Sequence, residues 1–163
     1  MLNVVLAARE SYSAENCSVK RALDVVGEKW TLLVVREAFY GARRFEQFQA
    51  HVGCARNLLS ERLNTLVEAG VLQRVPYREP GQRERHEYRL TDKGLDLLPA
   101  VTALMHWGDR WEADPDGPPV EIVHRDCGHP VELVMRCNHD DVPLTARDTQ
   151  PRPGPGARPA QSA

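Results

Sequence analysis

A chain of 163 residues with 42% hydrophobic and 27% charged residues has the size and composition of one compact domain with appendages, which argues against a fibrous repeat or disorder throughout. Its formal net charge of −2 gives no overall attraction to an anionic partner, but within residues 43–89 nine arginines oppose six glutamates, so the middle of the chain is basic. The apolar run in MLNVVLAARESYS is too short and too poorly flanked for a signal peptide or a membrane span, so a cytoplasmic location with no membrane contact is expected.

The N-terminal part of the chain predicts short helices that end at glycines. Residues 1–16 are interpreted as an arm, with Tyr12 as a candidate anchor for a partner. Ser18 can cap a first helix that Gly27 ends, because its hydroxyl can accept a hydrogen bond from the first turn. The stretch KWTLLVVREAFYG then predicts a second helix that ends at Gly41.

The next two elements predict a helix-turn-helix. RRFEQFQAHVG has room for a short helix with Phe45 and Phe48 facing inward, and Gly53 ends it. RNLLSERLNTLVEAG then predicts a longer amphipathic helix whose leucines lie on one face. In this arrangement a first helix supports a second one that can lie in the major groove of DNA.

A two-stranded ribbon and a long helix follow. VLQRV and HEYRL predict strands joined by the basic turn PYREPGQRER. Thr91 predicts the N-cap of a long helix that runs to Trp111, bent or broken at Pro99. The apolar surface of this helix is wide for the end of a small domain, and pairing with an identical chain is the simplest way to cover it. The fold class is therefore mainly α with a small β-wing, a winged helix-turn-helix over residues 17–112.

Polar side chains on the long amphipathic helix and the ribbon are the candidates for reading DNA. Arginine pairs with guanine edges, asparagine with adenine, and serine with a phosphate or a base, while arginines beside the groove neutralise phosphates. The candidates are Arg43, Arg56, Asn57, Ser60, Arg62, Asn64, Arg78, Arg83 and Arg85. The alternative is a solvated surface, in which the arginines of the ribbon pair with Glu79, Glu84 and Glu87.

A set of spaced motifs then carries a resemblance over residues 12–111. Cys-x6-Asp-x2-Gly-x2-Trp is followed by Arg-Phe, Leu-Ser-x-Arg-Leu, Glu-x-Gly and Tyr-x-Leu-Thr-x-x-Gly. Together these motifs resemble the HxlR family of winged helix-turn-helix transcriptional regulators, a branch of the MarR-like regulators. The resemblance implies a homodimer, built from the N-terminal segment and the last helix, that binds operator DNA through a recognition helix at residues 55–69 and a wing at residues 76–86. Cys54 and Ala55 depart from the family, which usually has an aliphatic residue and a capping Ser or Thr there.

Two cysteines are candidate redox sensors. Cys17 stands where many members of that family carry a cysteine, which senses oxidants in some of them. A thiol near a helix N-terminus, with Lys20 and Arg21 close in sequence, has its thiolate favoured; the alternative is a buried packing residue. Cys54 precedes the recognition helix, so its modification would disturb DNA contact, and a Cys17–Cys54 bond between subunits is a further alternative.

Residues 113–147 predict a two-stranded appendage after the linker DPDGPP, and residues 148–163 a disordered Pro/Gly-rich tail. The candidate metal ligands Cys127, His129, Cys137 and His139 lie on its two strands VEIVHRDCGH and PVELVMRCNH. Zinc favours four nitrogen or sulfur ligands in close pairs, but the C-x-x-C spacing is absent. Longer members of the family carry C-x-x-C here, and its last cysteine falls on Asp140, so the site is an altered zinc ribbon or a metal-free hairpin. No other cofactor is expected.

Three functions compete at this point. The first is a DNA-binding transcriptional regulator, acting as a homodimer on a pseudo-palindromic operator, with a redox or small-molecule signal that the sequence does not specify. The second is a winged-helix module that binds a protein through the same polar face, with no sequence-specific DNA binding. The third, an enzyme, is not expected, because the chain has no Gly-rich phosphate loop, nucleophile elbow or H-E-x-x-H motif.

Overall fold

The structure is a computed structural model, and it describes residues 13–160 of the chain. Most of the predicted N-terminal arm, with Tyr12, lies outside the described residues. The chain divides into two compact units, a larger one at Leu23–Pro130 and a smaller one that holds the described residues on either side of it. No helix among residues 13–160 is both long enough and apolar enough to cross a bilayer.

The larger unit confirms the predicted fold class, mainly α with a small β-wing. Its helices and strands, beginning with a helix that the smaller unit shares, are α1 (Ser18–Val26), α2 (Lys29–Phe39), α3 (Phe45–Val52), α4 (Arg56–Glu68), β1 (Leu72–Tyr77), β2 (Arg85–Leu90), α5 (Asp92–Leu95) and α6 (Leu98–Trp111). The order helix, turn, longer helix, two-stranded ribbon is that of a winged helix-turn-helix.

The core lies where α2, α3, α4 and the start of β1 meet. Its largest fully buried apolar side chains are Phe48, Leu59, Leu63, Leu66, Leu72, Val34, Val35 and Val71. Burying a side chain of this size stabilises the fold by about 1.5–3 kcal/mol. The predicted leucine face of α4 is therefore confirmed, and its burial fixes which face of the helix points outward. Phe45, predicted to face inward, is only half-buried.

The wing is an antiparallel pair in which Leu72 is opposite Leu90 and Tyr77 is opposite Arg85. It is joined to the helical part by a backbone hydrogen bond from the Tyr88 N–H to the Arg43 carbonyl at 2.7 Å. The rings of Tyr88 and Phe48 also meet edge to face, with centroids 6.2 Å apart. The base of the wing is thus part of the core, whereas residues 78–84 form its exposed tip.

The predicted long helix after the wing is two helices. Thr91 caps α5 as predicted, since its hydroxyl accepts a hydrogen bond from the Gly94 N–H at 3.2 Å. Pro99 falls in the first turn of α6, where its missing N–H breaks no hydrogen bond. Of the two outcomes foreseen for Pro99, a bend or a break, the structure has the break.

The segment after α6 differs from the predicted pair of strands. In the larger unit a tight turn brings Val123 opposite Pro130 in an isolated bridge, with Gly128 at φ 72°. In the smaller unit β3 (Met135–Arg136) pairs with β4 (Pro143–Leu144) around a turn at Asp141, at φ 58°. The first predicted strand is therefore interrupted by a turn and the second runs into one, because a left-handed residue reverses the chain at each turn before a longer ladder can form.

Residues near the two ends of the described chain also meet in the smaller unit. The Ser13 N–H donates to the Arg158 carbonyl at 2.8 Å, and the Asn16 side-chain amide donates to the Gly156 carbonyl at 2.5 Å. The Pro/Gly-rich tail thus lies against the segment that leads into α1.

Candidate nucleic-acid interface

The turn between α3 and α4 determines how α4 begins. Gly53 takes the left-handed conformation at φ 77°, which favours glycine, and the Gln49 side-chain amide donates to the Cys54 carbonyl at 2.9 Å. Ala55 occupies the N-cap of α4 in an extended conformation and makes no side-chain cap hydrogen bond. The backbone N–H groups at the start of α4 therefore have no side-chain cap, as the departure at Ala55 predicts.

The predicted residues at the first turns of α4 share one exposed surface. Arg56, Asn57 and Ser60 are exposed, and together with Phe45 they line a shallow hollow beside the helix N-terminus. The Arg56 guanidinium lies 4.5 Å from the centroid of the Phe45 ring. This cation–π contact holds the guanidinium over the surface while leaving its N–H groups available as donors. Phe45 therefore packs against the core and also contacts Arg56.

The two predicted residues further along α4 point into protein contacts. The Arg62 side chain is 19% exposed, and one of its guanidinium nitrogens lies 3.4 Å from a Glu61 carboxylate oxygen. The Asn64 side-chain oxygen accepts a short hydrogen bond from Arg74 on β1. The first contact lies within α4, and the second joins α4 to the wing. Arg62 and Asn64 are therefore not among the proposed DNA contacts.

The Arg43 side chain also makes its contacts within the protein. Its guanidinium donates to the carbonyls of Ala38 and Ala42 at 2.8 and 3.0 Å. Both acceptors belong to the end of α2 and the turn after it, where the Ala38 carbonyl also accepts from the Gly41 N–H at 3.3 Å. Arg43 therefore closes the C-terminus of α2 and also holds the wing through its carbonyl.

The arginines at the wing tip remain open to solvent. Arg78, Arg83 and Arg85 are exposed, and the Arg78 side chain donates only to the Gln82 carbonyl, at 3.3 Å, within the part of the chain described. Two of the three glutamates proposed as their alternative partners pair elsewhere, Glu79 with Arg44 at 2.7 Å and Glu87 with Arg89 at 2.9 Å. Glu84 is exposed between Arg83 and Arg85 in sequence. With Glu79 and Glu87 paired elsewhere, Arg78, Arg83 and Arg85 outnumber Glu84, so this part of the wing has an excess of positive charge.

Sequence reasoning missed Arg44, which joins the helix-turn-helix to the wing. Its guanidinium lies 4.4 Å from the Tyr77 ring centroid, 2.7 Å from Glu79 and 3.9 Å from Glu87. The hydrogen bond to Glu79 raises the pKa of Arg44 above its usual value. No signal in the sequence identifies this contact, because Arg44 and Glu79 are 35 positions apart.

The end of α4 is held by residues outside the predicted set. The Lys93 ammonium donates to the Ala69 carbonyl at 2.7 Å, and the Thr91 hydroxyl donates to the Gly70 carbonyl at 2.6 Å. Both residues belong to the start of α5, and both satisfy carbonyls that the helix leaves unpaired. The recognition helix is therefore fixed at its C-terminal end and uncapped at its N-terminal end.

All four cysteines are among the described residues, and none forms a disulfide. Cys54 is buried, at 8% exposure, in the turn before α4. Cys17 is half-buried and immediately precedes α1. The sensing role of either thiol stays a prediction.

The C-terminal histidines and cysteines lie on the two turns described above. In the larger unit the His124 Nδ1 lies 3.1 Å from the Cys127 sulfur, and the His129 Nδ1 lies 3.1 Å from the Cys127 carbonyl. In the smaller unit the His139 N–H approaches the Cys137 sulfur at 3.5 Å. Within residues 13–160 no three His, Cys, Asp or Glu side chains are grouped so as to hold a metal ion. We therefore derive no chemistry from zinc.

A braced recognition helix, a basic wing and the supporting helix α3 define a winged helix-turn-helix transcriptional regulator. The sequence matches the HxlR-like helix-turn-helix family over residues 25–116, more than half of the chain. The chain belongs to this family, which is one of DNA-binding regulators and not a class of enzymes.

Relatives of this chain include HTH-type regulators from several bacteria. The uncharacterized HTH-type transcriptional regulator Rv3095 of Mycobacterium tuberculosis is 49% identical over 146 residues, which cover 90% of this chain and 91% of that protein. YvaP of Bacillus subtilis, also an HTH-type transcriptional regulator, is 33% identical and matches 56% of this chain and 84% of its own.

Solved structures give the same class. The crystal structure of PA1607, described as a candidate transcription factor, has a TM-score of 0.74 at 45% identity and covers 83% of this chain and 94% of its own. The redox regulator HypR in its oxidized form has a TM-score of 0.55 at 28% identity and covers 60% of this chain and 100% of its own. The similarity to PA1607 thus extends over most of both chains.

Proposed function

We propose that this regulator acts as a homodimer on a pseudo-palindromic operator, with the N-terminal turns of α4 in the major groove of each half-site. The observation that carries the proposal is the shared exposed surface of Arg56, Asn57 and Ser60. An arginine and an asparagine at this end of the helix offer the donors and acceptors that distinguish guanine and adenine. Half-sites would be separated by about one helical turn of DNA.

The wing contributes contacts of a different kind. Arg78, Arg83 and Arg85 are exposed on the wing. Among the described residues, their one side-chain hydrogen bond is that of Arg78 to the Gln82 carbonyl. Such side chains neutralise phosphates beside the groove and add affinity without reading sequence. The operator would therefore be read by α4 and flanked on each side by a phosphate contact from the wing.

Pairing of two chains is supported by α6. Leu104, Trp107 and Trp111 follow one another at i, i+3 and i+7, and their exposed fractions are 57%, 58% and 62%. A stripe containing two tryptophans is costly to leave in water, because an aromatic side chain of this kind can bury about 150–250 Å². An identical stripe on a second copy of the chain would bury these side chains in a contact with two-fold symmetry.

The experiment that tests this function starts from a random DNA library. Purified full-length protein should select an inverted repeat, and footprinting should show protection of two half-sites. The affinity for that site should fall steeply with added salt, because counterions are released from the phosphates. Selection of no shared sequence, with any affinity indifferent to salt, would instead indicate a module that binds a protein through the same face.

A redox response is a second proposal, supported by the similarity to a redox regulator, HypR, and by the position of Cys17 just before α1. We expect diamide or peroxide to release the wild-type protein from its operator and Cys17→Ser to remain bound. Cys127→Ser, an exposed thiol in the C-terminal turn, is the matched control and should respond like wild type. A Cys17→Ser protein that is still released by oxidant would rule out Cys17 as the sensor.

A further inference from the structure

A cavity in the larger unit lies between α2 and α6 and is closed on one side by the segment after α6. Its volume is about 510 Å³. Its apolar walls are Leu32, Leu33, Val101, Leu104, Pro119 and Val120. Sites for small organic molecules have volumes of this order and similarly apolar walls with a few polar groups. The DNA contacts proposed above make no use of this cavity, and of its walls only Leu104 belongs to the α6 stripe proposed for pairing.

The charged groups of the cavity are unbalanced. Glu37 is only 7% exposed, and one of its carboxylate oxygens accepts hydrogen bonds from the Arg36 guanidinium at 2.9 and 2.6 Å. The other oxygen has no hydrogen-bond partner within residues 13–160. Asp109, on the α6 wall, forms no ion pair with any of the described residues. Two carboxylates therefore line the cavity against one guanidinium.

An aromatic face lies beside these charges. The Tyr40 ring lines the cavity, and its hydroxyl donates to the Met105 sulfur at 3.7 Å. Burial raises the pKa of the Tyr40 phenol; Arg36 acts in the opposite direction, and Glu37 and Asp109 reinforce the rise. The Arg36 guanidinium lies 5.9 Å from the centroid of this ring, so a cation of the protein itself already contacts the Tyr40 face.

We propose that this cavity binds a lipophilic organic cation, with its apolar body against the walls and its positive centre near Asp109 and the Glu37 carboxylate oxygen that Arg36 does not bind. An organic anion of the same shape would meet two carboxylates for one guanidinium, and the low polarity of the walls strengthens that discrimination. This site goes beyond the proposed DNA function, and its occupation is measurable without DNA, so either proposal can fail without the other.

The test uses two ions of the same shape and opposite charge. We expect calorimetric titration of the full-length protein with tetraphenylphosphonium to show saturable binding of a single cation per chain. Tetraphenylborate should bind more weakly by about tenfold or more, since it exchanges attraction for repulsion at a partly desolvated carboxylate. Equal binding of the two ions, or no saturable binding of the phosphonium, would overturn the proposal.

Variants locate the site. Asp109→Asn should weaken phosphonium binding about two- to fivefold, as expected for one partly exposed charge, and Glu37→Gln should weaken it more. Gly108→Leu should block binding without changing any charge, because a side chain added at Gly108 points into open space at the cavity wall.

Asp96→Asn removes an exposed carboxylate that does not line the cavity and should bind like wild type. Circular dichroism identifies any variant that fails to fold. If Glu37→Gln fails to fold, the affinities of Asp109→Asn and Gly108→Leu still test the site. Unchanged affinity in both of these variants would place the cation elsewhere and refute the site.

Discussion

The role of each arginine near the helix-turn-helix depends on which hydrogen-bond acceptors lie close to its guanidinium group. Arg43 meets two carbonyls at the end of α2 and becomes part of the fold, whereas Arg62 is drawn to Glu61. Arg56 lies over the face of Phe45 and forms no hydrogen bond or ion pair with any of residues 13–160. An identical side chain therefore has a structural or a recognition role according to its neighbours.

At this scale Arg56→Ala is the most direct test of recognition. The variant should lose about 1–3 kcal/mol of affinity for the selected operator, the value expected when an arginine pairs with a base edge, and should discriminate less at one base pair of each half-site. Fluorescence anisotropy with the operator and its single-base variants measures both effects.

Arg125→Ala is the matched control, because Arg125 is an exposed arginine of the C-terminal turn and its removal changes the net charge equally. If the two variants lose the same affinity and keep the same base preference, Arg56 contributes charge only and the proposed base contact is wrong.

The elements of the winged helix-turn-helix were predictable because local patterns specify them. The leucine spacing of α4, the glycines that end the helices and the Thr91 cap each act within a few residues. The candidate site was only partly predictable: Arg56 and the wing arginines are exposed as expected, but nothing local shows that Arg74 reaches Asn64 or that Arg44 reaches Glu79. The C-terminal strands were mispredicted because alternation alone does not show where a left-handed residue will reverse the chain.

The junction of the wing with α5 depends on Gly94. A Cβ at Gly94 would collide with the Val71 carbonyl oxygen, a backbone atom that cannot rotate away. We expect Gly94→Ala to lower the free energy of unfolding by about 1–3 kcal/mol, the usual cost of overpacking, as measured by urea denaturation.

Gly108 supplies the comparison, because a Cβ there meets nothing within 4 Å in the last turn of α6. Gly108→Ala should raise the free energy of unfolding by about 0.5–1 kcal/mol through helix propensity. A Gly94→Ala protein as stable as Gly108→Ala would show that the backbone contact at Val71 does not constrain the fold.

The wing should affect the salt dependence of DNA binding and not its base preference. Replacing Arg78, Arg83 and Arg85 together by alanine should weaken operator and unrelated DNA alike and should reduce the slope of log affinity against log salt by about one for each arginine that touches a phosphate. Binding isotherms at several salt concentrations measure that slope. A changed base preference with an unchanged slope would mean that the wing reads bases instead.

At the scale of the whole molecule, the exposed stripe on α6 should govern assembly. Trp107→Asp places a charge in the middle of that stripe, where burial against a second copy would be costly. We expect sedimentation velocity to show dimers for the wild type and monomers for this variant, with operator affinity lost in parallel because one half-site alone binds weakly.

Val134→Asp makes the same change at another exposed apolar residue, in the smaller unit, and should remain dimeric. A Trp107→Asp protein that still sediments as a dimer would move the contact away from this face of α6, without affecting the argument for α4.

The bridge from Arg44 to Tyr77, Glu79 and Glu87 couples the N-terminal end of α3, the supporting helix of the helix-turn-helix, to the wing. Because the helix-turn-helix and the wing are coupled in this way, we expect both to leave the DNA together, in a single kinetic phase of dissociation. Cutting the bridge would let the hairpin swing independently, and dissociation would then separate into a fast and a slow step.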